Sequence, residues 1–191
     1  MILTRKSFQL LLLIVASCVA VSAQTAGNDK QFSKDGLTFD YPTGWTLQDD
    51  SNRDAQNLTL ARADSDVSVN VFVHRGKTTP EKFPEAKKAF IDPYILARGK
   101  QFVAMGAKPE QTPDSSDIAG VKADGVAITA SIAGEAGAAR IYWALIGNRV
   151  VVLTFFGPDK QLKQFASVWD MVRNSIKIED PKAAPKASPK P

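Results

Sequence analysis

The sequence predicts an α+β fold, an antiparallel β-sheet with helices packed on its faces. Three observations carry this prediction. The first is a pair of apolar runs, Ile141-Tyr142-Trp143-Ala144-Leu145-Ile146 and Arg149-Val150-Val151-Val152-Leu153-Thr154-Phe155-Phe156, joined by Gly147-Asn148. Gly supplies the positive φ that a two-residue hairpin of the I′ or II′ kind needs at its first corner. Ile141, Trp143 and Leu145 alternate with Tyr142, Ala144 and Ile146, and both sets are apolar. Such a hairpin belongs in the middle of a sheet covered on both sides, or covered on one face and partly shielded on the other. The second observation is element order, which runs strands, helix, strands, helix and suits an antiparallel sheet covered by helices. The third is a closing stripe: Leu162, Phe165, Trp169, Val172 and Ile176 fall on one side of a helix, with Lys160, Lys163, Gln164, Asp170 and Arg173 on the wet side.

The elements follow in chain order. Residues 1–23 read as an export signal: Arg5 and Lys6, an apolar run from Phe8 to Val21, and Val21-Ser22-Ala23 before Gln24. Small residues at that point suit cleavage between Ala23 and Gln24. Two other readings stay open. The run could be a retained anchor, although it is short of the ~20 apolar residues a span requires. Val15-Ala16-Ser17-Cys18 also resembles a lipobox, in which Cys18 would be lipidated. Residues 24–30 are small and polar, a flexible lead-in.

The domain is placed at residues 31–178. Phe32 to Lys34 and Leu37 to Tyr41 form a hairpin across Asp35-Gly36, and Pro42-Thr43-Gly44 ends it with Trp45 turned back onto the core. Asp49 to Gln56 reads as a polar loop. Asn57 to Ala63 and Val67 to Val73 read as a second hairpin around Asp64-Ser65-Asp66, with Leu58 and Leu60 inward. Thr79-Pro80-Glu81 opens a helix, and Phe83, Ala86, Phe90, Tyr94 and Ala97 form its apolar stripe. Pro93 predicts a kink or break near Asp92, and Met105-Gly106 the end. Lys108 to Ser116 holds two prolines and reads as loop or edge strand. Ile118 to Val121 and Val126 to Ile132 are strands, Gly134 to Gly137 is a turn, and Gly157-Pro158-Asp159 starts the last helix. Residues 179–191 repeat Pro-Lys and read as a disordered tail with a polyproline II bias.

Charge is distributed unevenly. Of the 24 basic residues, two lie in the leader and four in residues 177–191, which also hold two of the 20 acids. The folded middle therefore carries 18 of each, and the net charge of +4 belongs to the ends. A neutral body argues against nucleic-acid binding, which places basic charge on the fold itself. Cys18 is the sole cysteine. After cleavage at Ala23 the body would have no disulfide, thiol nucleophile or thiolate metal ligand.

Phe39-x-Tyr41-Pro42-x-Gly44-Trp45, the two early hairpins, the mid-chain helix, the long hairpin and a last helix ending Trp169…Val172…Ser175-Ile176 resemble the Mog1/PsbP-like families, which include bacterial PsbP-like and DcrB-like domains. The resemblance covers about residues 31–178. It implies an α-β-α sandwich and a non-catalytic binding or accessory role. Members serve a photosynthetic complex, a small GTPase or bacterial envelopes, and export argues against the GTPase role.

Candidate chemistry is sparse. His74 is the single histidine and cannot by itself form a zinc cluster. A structural or surface role competes with a general base working with nearby carboxylates, and no nucleophile-elbow motif accompanies it. Asp50-Ser51-Asn52-Arg53-Asp54 opens like a calcium loop, but Ala55 stands where the turn glycine belongs and Ala61 where the bidentate glutamate belongs. Asp64 and Asp66 suit turn chemistry, and Asn57-Leu58-Thr59 is a sequon. The expectation is an exported, periplasmic or extracellular, non-catalytic binding or accessory protein of a bacterial envelope. It has no catalytic, metal or cofactor site, no nucleic-acid partner, and a protein or small ligand as partner. The alternatives are a small secreted hydrolase using His74 and a lipoprotein held at the membrane through Cys18.

Overall fold

The computed structural model describes residues 29–179. The expected cleavage site at Ala23 and Gln24, the lipidation candidate Cys18 and the Pro/Lys tail lie outside the described residues.

Among the described residues, ten strands build two antiparallel sheets. They are β1 (Lys30–Lys34), β2 (Leu37–Tyr41), β3 (Thr46–Asp49), β4 (Ala55–Ala61), β5 (Ser68–His74), β6 (Glu110–Ile118), β7 (Val121–Ile132), β8 (Glu135–Ile146), β9 (Arg149–Pro158) and β10 (Lys177–Ile178). The main sheet has the order β3-β4-β5-β9-β8-β7-β6, and the small sheet the order β1-β2-β10. Helices α1 (Phe83–Ala86) and α2 (Asp92–Ala104) fall between β5 and β6; α3 (Asp159–Gln164) and α4 (Ala166–Ser175) follow β9.

The β8-β9 hairpin lies at the heart of the main sheet. Ile146 pairs with Arg149, so the corner has two residues. Gly147 has φ 55° and Asn148 φ 60°, which makes it the I′ kind, whose twist matches the strands it joins. Strand alternation sends Ile141, Trp143, Val150 and Val152 to one face and Tyr142, Ala144, Val151, Leu153 and Phe155 to the other. Ala86, Ile91, Ile95 and Phe102 cover the first face. Leu162, Trp169, Val172 and Ile176, with Leu37 and Phe39 of the small sheet, cover the second. Helices therefore pack on both faces. Each large apolar side chain fully buried there contributes about 1.5–3 kcal/mol relative to exposure.

Several elements depart from the sequence reading. Asp49 to Gln56 is not one loop: Thr46 to Asp49 forms β3, and Ala55 and Gln56 begin β4. Lys30 already belongs to β1. The turn before β8 is Ala133-Gly134, since Ile132 pairs with Glu135. Thr79 has an extended backbone at the first helical turn, but its hydroxyl hydrogen-bonds Glu81 instead of a backbone N–H, and that bond holds the Glu81 carboxyl below its ordinary range.

The mid-chain helix buries a different face from the one its spacing suggested. Phe90 and Ala97 are exposed, and Ile91, Ile95 and Phe102 are buried. The cause is a π turn at Lys87–Ile91, in which the Asp92 N–H donates to the Lys87 carbonyl five residues back. The extra residue sets Ala86 and Ile91 five apart yet on one face. The turn falls just before Pro93, which cannot donate a helical hydrogen bond, so the expected discontinuity near Asp92 is a change of winding.

The closing helix is split at Phe165, whose φ of −101° and ψ of 19° leave the helical region. The apolar stripe survives the break. Trp169, Val172 and Ile176 stay buried, while Phe165 is half-buried, edge-on to Trp45 with ring centroids 5.5 Å apart.

Candidate functional site

His74 ends β5 and is half-buried. Its ring stacks on Phe90 with centroids 4.3 Å apart. Its Nδ1 accepts the Gly76 N–H at 3.2 Å, and the contact is close enough that a Cβ on Gly76 would meet the imidazole at 2.6 Å. The hydrogen-bonding and ring partners that define this histidine are thus a backbone turn and a phenyl ring, not a carboxylate. A general base requires hydrogen-bond reach to the proton it takes, and an orienting acid commonly holds it.

The other sequence candidates resolve into turn chemistry. Asn52 Oδ1 accepts the Asp54 and Ala55 N–H groups at 2.8 and 2.9 Å, and Asp49 Oδ1 accepts the Ser51 N–H at 3.0 Å. Asp64 is paired with Arg62 across two residues. Asn57 Oδ1 accepts from the Asn70 amide at 3.1 Å. Among the described residues, no group of three or more His, Cys, Asp or Glu side chains could hold a metal ion. No helix among them is long and apolar enough to cross a membrane.

A trough of 540 Å³ opens between the helical layer and the β6 edge of the main sheet. Its volume lies within the roughly 300–1,000 Å³ of small-ligand sites. Lys87 of the π turn and Asp92, Ile95 and Leu96 of α2 form one wall; Gln111, Pro113, Gly125, Val126 and Trp143 of β6, β7 and β8 form the other wall and floor. The strand register explains the floor. Pro113 faces Val126 and Asp124 faces Trp143, so consecutive strands carry side chains of alternating parity to the same face. Leu96, on the opposite wall, is 60% exposed.

Lys87 and Asp92 bring opposite charges to this trough. The Lys87 ammonium lies 5.4 Å from the centre of the Trp143 ring and forms an ion pair with Asp92. Trp143 is buried, and its Nε1–H is the one buried side-chain polar atom among the described residues without a hydrogen-bond partner. An unpaired buried donor costs about 1–3 kcal/mol. A second cavity, 390 Å³, lies beside the end of α2 among Phe102, Met105, Ile132, Phe156 and Pro158. Its lining is mainly apolar and brings no comparable pair of opposite charges together.

Sequence reasoning treated Trp143 as core and did not single out Lys87 or Asp92. The signal was present: a Trp in a strand that is apolar on both faces must still find a partner for its N–H. It also missed two buried polar groups at the far end of β9. Arg149, 5% exposed, donates to the Asp35 carbonyl at 3.1 Å, and Gln56, fully buried, donates to the Lys34 carbonyl at 2.9 Å. They tie the β1-β2 turn to the main sheet.

No protein-family model matches the chain, and no curated protein matches it significantly. Solved structures do match. The solution structure of cyanobacterial PsbP (CyanoP) from Synechocystis sp. PCC 6803 aligns with a TM-score of 0.52 at 15% identity, over 86% of this chain and 99% of that one. A crystal structure from Bacteroides thetaiotaomicron VPI-5482 aligns with a TM-score of 0.48 at 12% identity, over 78% and 48%. LpqN, involved in cell envelope biogenesis of Mycobacterium tuberculosis, aligns with a TM-score of 0.39 at 13% identity, over 78% and 90%. The fold is PsbP-like, as the Tyr41-Pro42-x-Gly44-Trp45 resemblance implied.

Proposed function

We propose that the protein is an exported, non-catalytic binding or accessory protein of a bacterial envelope, and that it binds its ligand in the trough between α2 and the β6 edge. The observation that carries the binding role is the trough itself, which sets Ile95, Leu96, Pro113 and Val126 beside the charged groups of Lys87 and Asp92. Apolar walls with a few polar groups at one end are the usual make-up of a small-ligand site. The PsbP-like fold supports an accessory role, and the leader at residues 1–23 supports export. The surroundings of His74, a turn and a ring, favour a structural histidine over a general base.

The test has two parts. The full chain is expressed with its leader in a bacterial host, the envelope is fractionated, and the N-terminus is read by mass spectrometry. A chain beginning at Gln24 in the soluble envelope fraction supports the reading; a cytoplasmic chain beginning at Met1 contradicts it. Native mass spectrometry of the recovered protein then looks for a small-molecule adduct that Leu96→Arg, which fills the open wall of the trough, abolishes. Equal adducts in both proteins would remove the trough from the account.

A further inference from the structure

We infer that the outward face of α2 docks on an anionic lipid surface, in a reversible contact that needs no lipid on Cys18. The inference goes beyond the binding reading above and does not depend on what fills the trough.

Helix α2 is apolar on two sides. Ile95 and Phe102 are buried. On the other side, a helical advance of about 100° per residue sets Pro93, Leu96, Ala97, Lys100, Val103 and Ala104 on one broad face. All of these are exposed, and Lys100 is the single charge among them. Leu96 and Val103, seven residues apart, are 60% and 59% exposed. A surface helix normally turns polar residues outward, and one that is apolar all round belongs in buried surroundings. Among the described residues, four of the five exposed large apolar side chains fall in this one segment: Phe90, Leu96, Val103 and Met105. Clustered exposure of this kind marks an interaction surface, whereas isolated cases need no explanation.

Charge gathers on the same segment. Residues 75–109, which connect β5 to β6, hold eight of the folded middle's eighteen basic residues and three of its eighteen acids. The remainder has ten bases against fifteen acids. The acids of the connection are Glu81, Glu85 and Asp92. Glu81 and Glu85 precede α2, and Asp92 is paired with Lys87. Arg75 is paired with Asp35. Lys82, Lys88, Lys100 and Lys108 are exposed and have no ion-pair partner among the described residues. A body neutral in total is thus polarised, with its surplus of cations on the segment that also exposes apolar side chains.

That charge selects the occupant. A second copy docked face to face would oppose the same lysines, because a two-fold contact repeats one patch on both partners. Protein interfaces are depleted in Lys and anchored by aromatic side chains and Arg. The face of α2 offers aliphatic side chains and lysine instead. This mixture matches the headgroup boundary of an anionic bilayer, where aliphatic side chains enter the acyl layer and lysines reach the phosphates.

The experiment sediments the full chain, as recovered from the expression host, with vesicles of equal parts phosphatidylglycerol and phosphatidylcholine. Vesicles of phosphatidylcholine alone are the neutral control. Binding is expected to the anionic vesicles only. Lys88→Glu/Lys100→Glu should weaken it by about thirtyfold or more. Leu96→Gln/Val103→Gln keeps the charge and should weaken it by about tenfold. Lys160→Glu/Lys163→Glu makes the same charge change on α3 and should alter binding by less than about twofold, because charges held away from the surface are screened. Leader and tail are the same in every protein, and all six altered positions are exposed, so the variants fold. The inference is overturned if anionic vesicles are not bound or if neutral vesicles bind as well. It is equally overturned if the α3 variant loses as much as the Lys88/Lys100 variant, or if the Leu96/Val103 variant loses nothing. A dimer that Leu96→Gln/Val103→Gln dissociates, without vesicle binding, would give the face to a second copy instead.

Discussion

Trp169 of α4 lies face to face with Phe155 of β9, ring centroids 5.3 Å apart and planes 12° from parallel. The last helix closes over the central hairpin through this pair, with Tyr142 tilted beside it at 5.7 Å. Trp169→Ala is expected to cost ~3–5 kcal/mol in urea unfolding, because it removes a large buried ring from a packed layer. Phe165, half-buried where α3 meets α4, should cost less, about 2 kcal/mol. Equal losses at the two positions would place the helix break wrongly.

Tight corners make a second prediction. Ile132 pairs with Glu135 across Ala133-Gly134, and Ala133 holds φ at 51°. An alanine in this region is strained, whereas Asn and Gly suit the first corner of a I′ turn. Ala133→Asn should stabilise by about 0.5–1 kcal/mol, measured by thermal or urea unfolding. Gly125→Ala should do the reverse, by ~1–3 kcal/mol, since its Cβ would sit 2.4 Å from the Tyr142 ring and 2.8 Å from the Ile141 carbonyl oxygen.

Arg149 anchors the small sheet. Arg149→Met leaves the Asp35 carbonyl without this donor and should cost about 1–3 kcal/mol. Amide hydrogen exchange should accelerate in β1 and β2 more than in β8. A uniform change across the protein would mean that Arg149 does not tie the two sheets.

The pH profile has two limbs. Tyr142 donates to Asp114 Oδ2 at 2.7 Å, and burial, reinforced by that hydrogen bond and the Asp114 charge, pushes the phenol up to about 12. The folded value exceeds the ordinary one near 10, so the fold prefers the neutral phenol. Its stabilisation is present below pH ~10 and is lost as pH rises towards ~12. Tyr142→Phe should flatten this alkaline limb in stability measured against pH. At the other end, the Lys34 hydrogen bond holds Asp49 at about 2, so that contribution is present above pH ~4 and fades as pH falls through ~2. Lys34→Met should move the acid limb upward, by a small amount because the pair is exposed.

Much of the architecture was legible because its signals were local. Gly147-Asn148 announced a two-residue corner, and Val150 to Phe155 announced a strand covered on both faces. What escaped depended on geometry that spacing does not encode. The π turn before Pro93 moved burial from Phe90 and Ala97 to Ile91 and Ile95. Strand β3 carries one half-buried apolar residue, Leu47, too little to mark it as a strand. The trough was illegible because its lining residues come from the π turn and from β8, more than fifty residues apart, and because Trp143 within an apolar run looks like core until its N–H is followed to the end.

The most direct test concerns that N–H. The Trp143 indole resonance would be recorded in protein isolated from its native envelope without denaturation, then in the same protein unfolded, stripped of small molecules and refolded. If the trough is a binding site, the resonance occupies different positions in the two samples, and adding back the stripped extract restores the first. Identical positions in both would show that the indole meets nothing but the protein and water, and the binding role would fail.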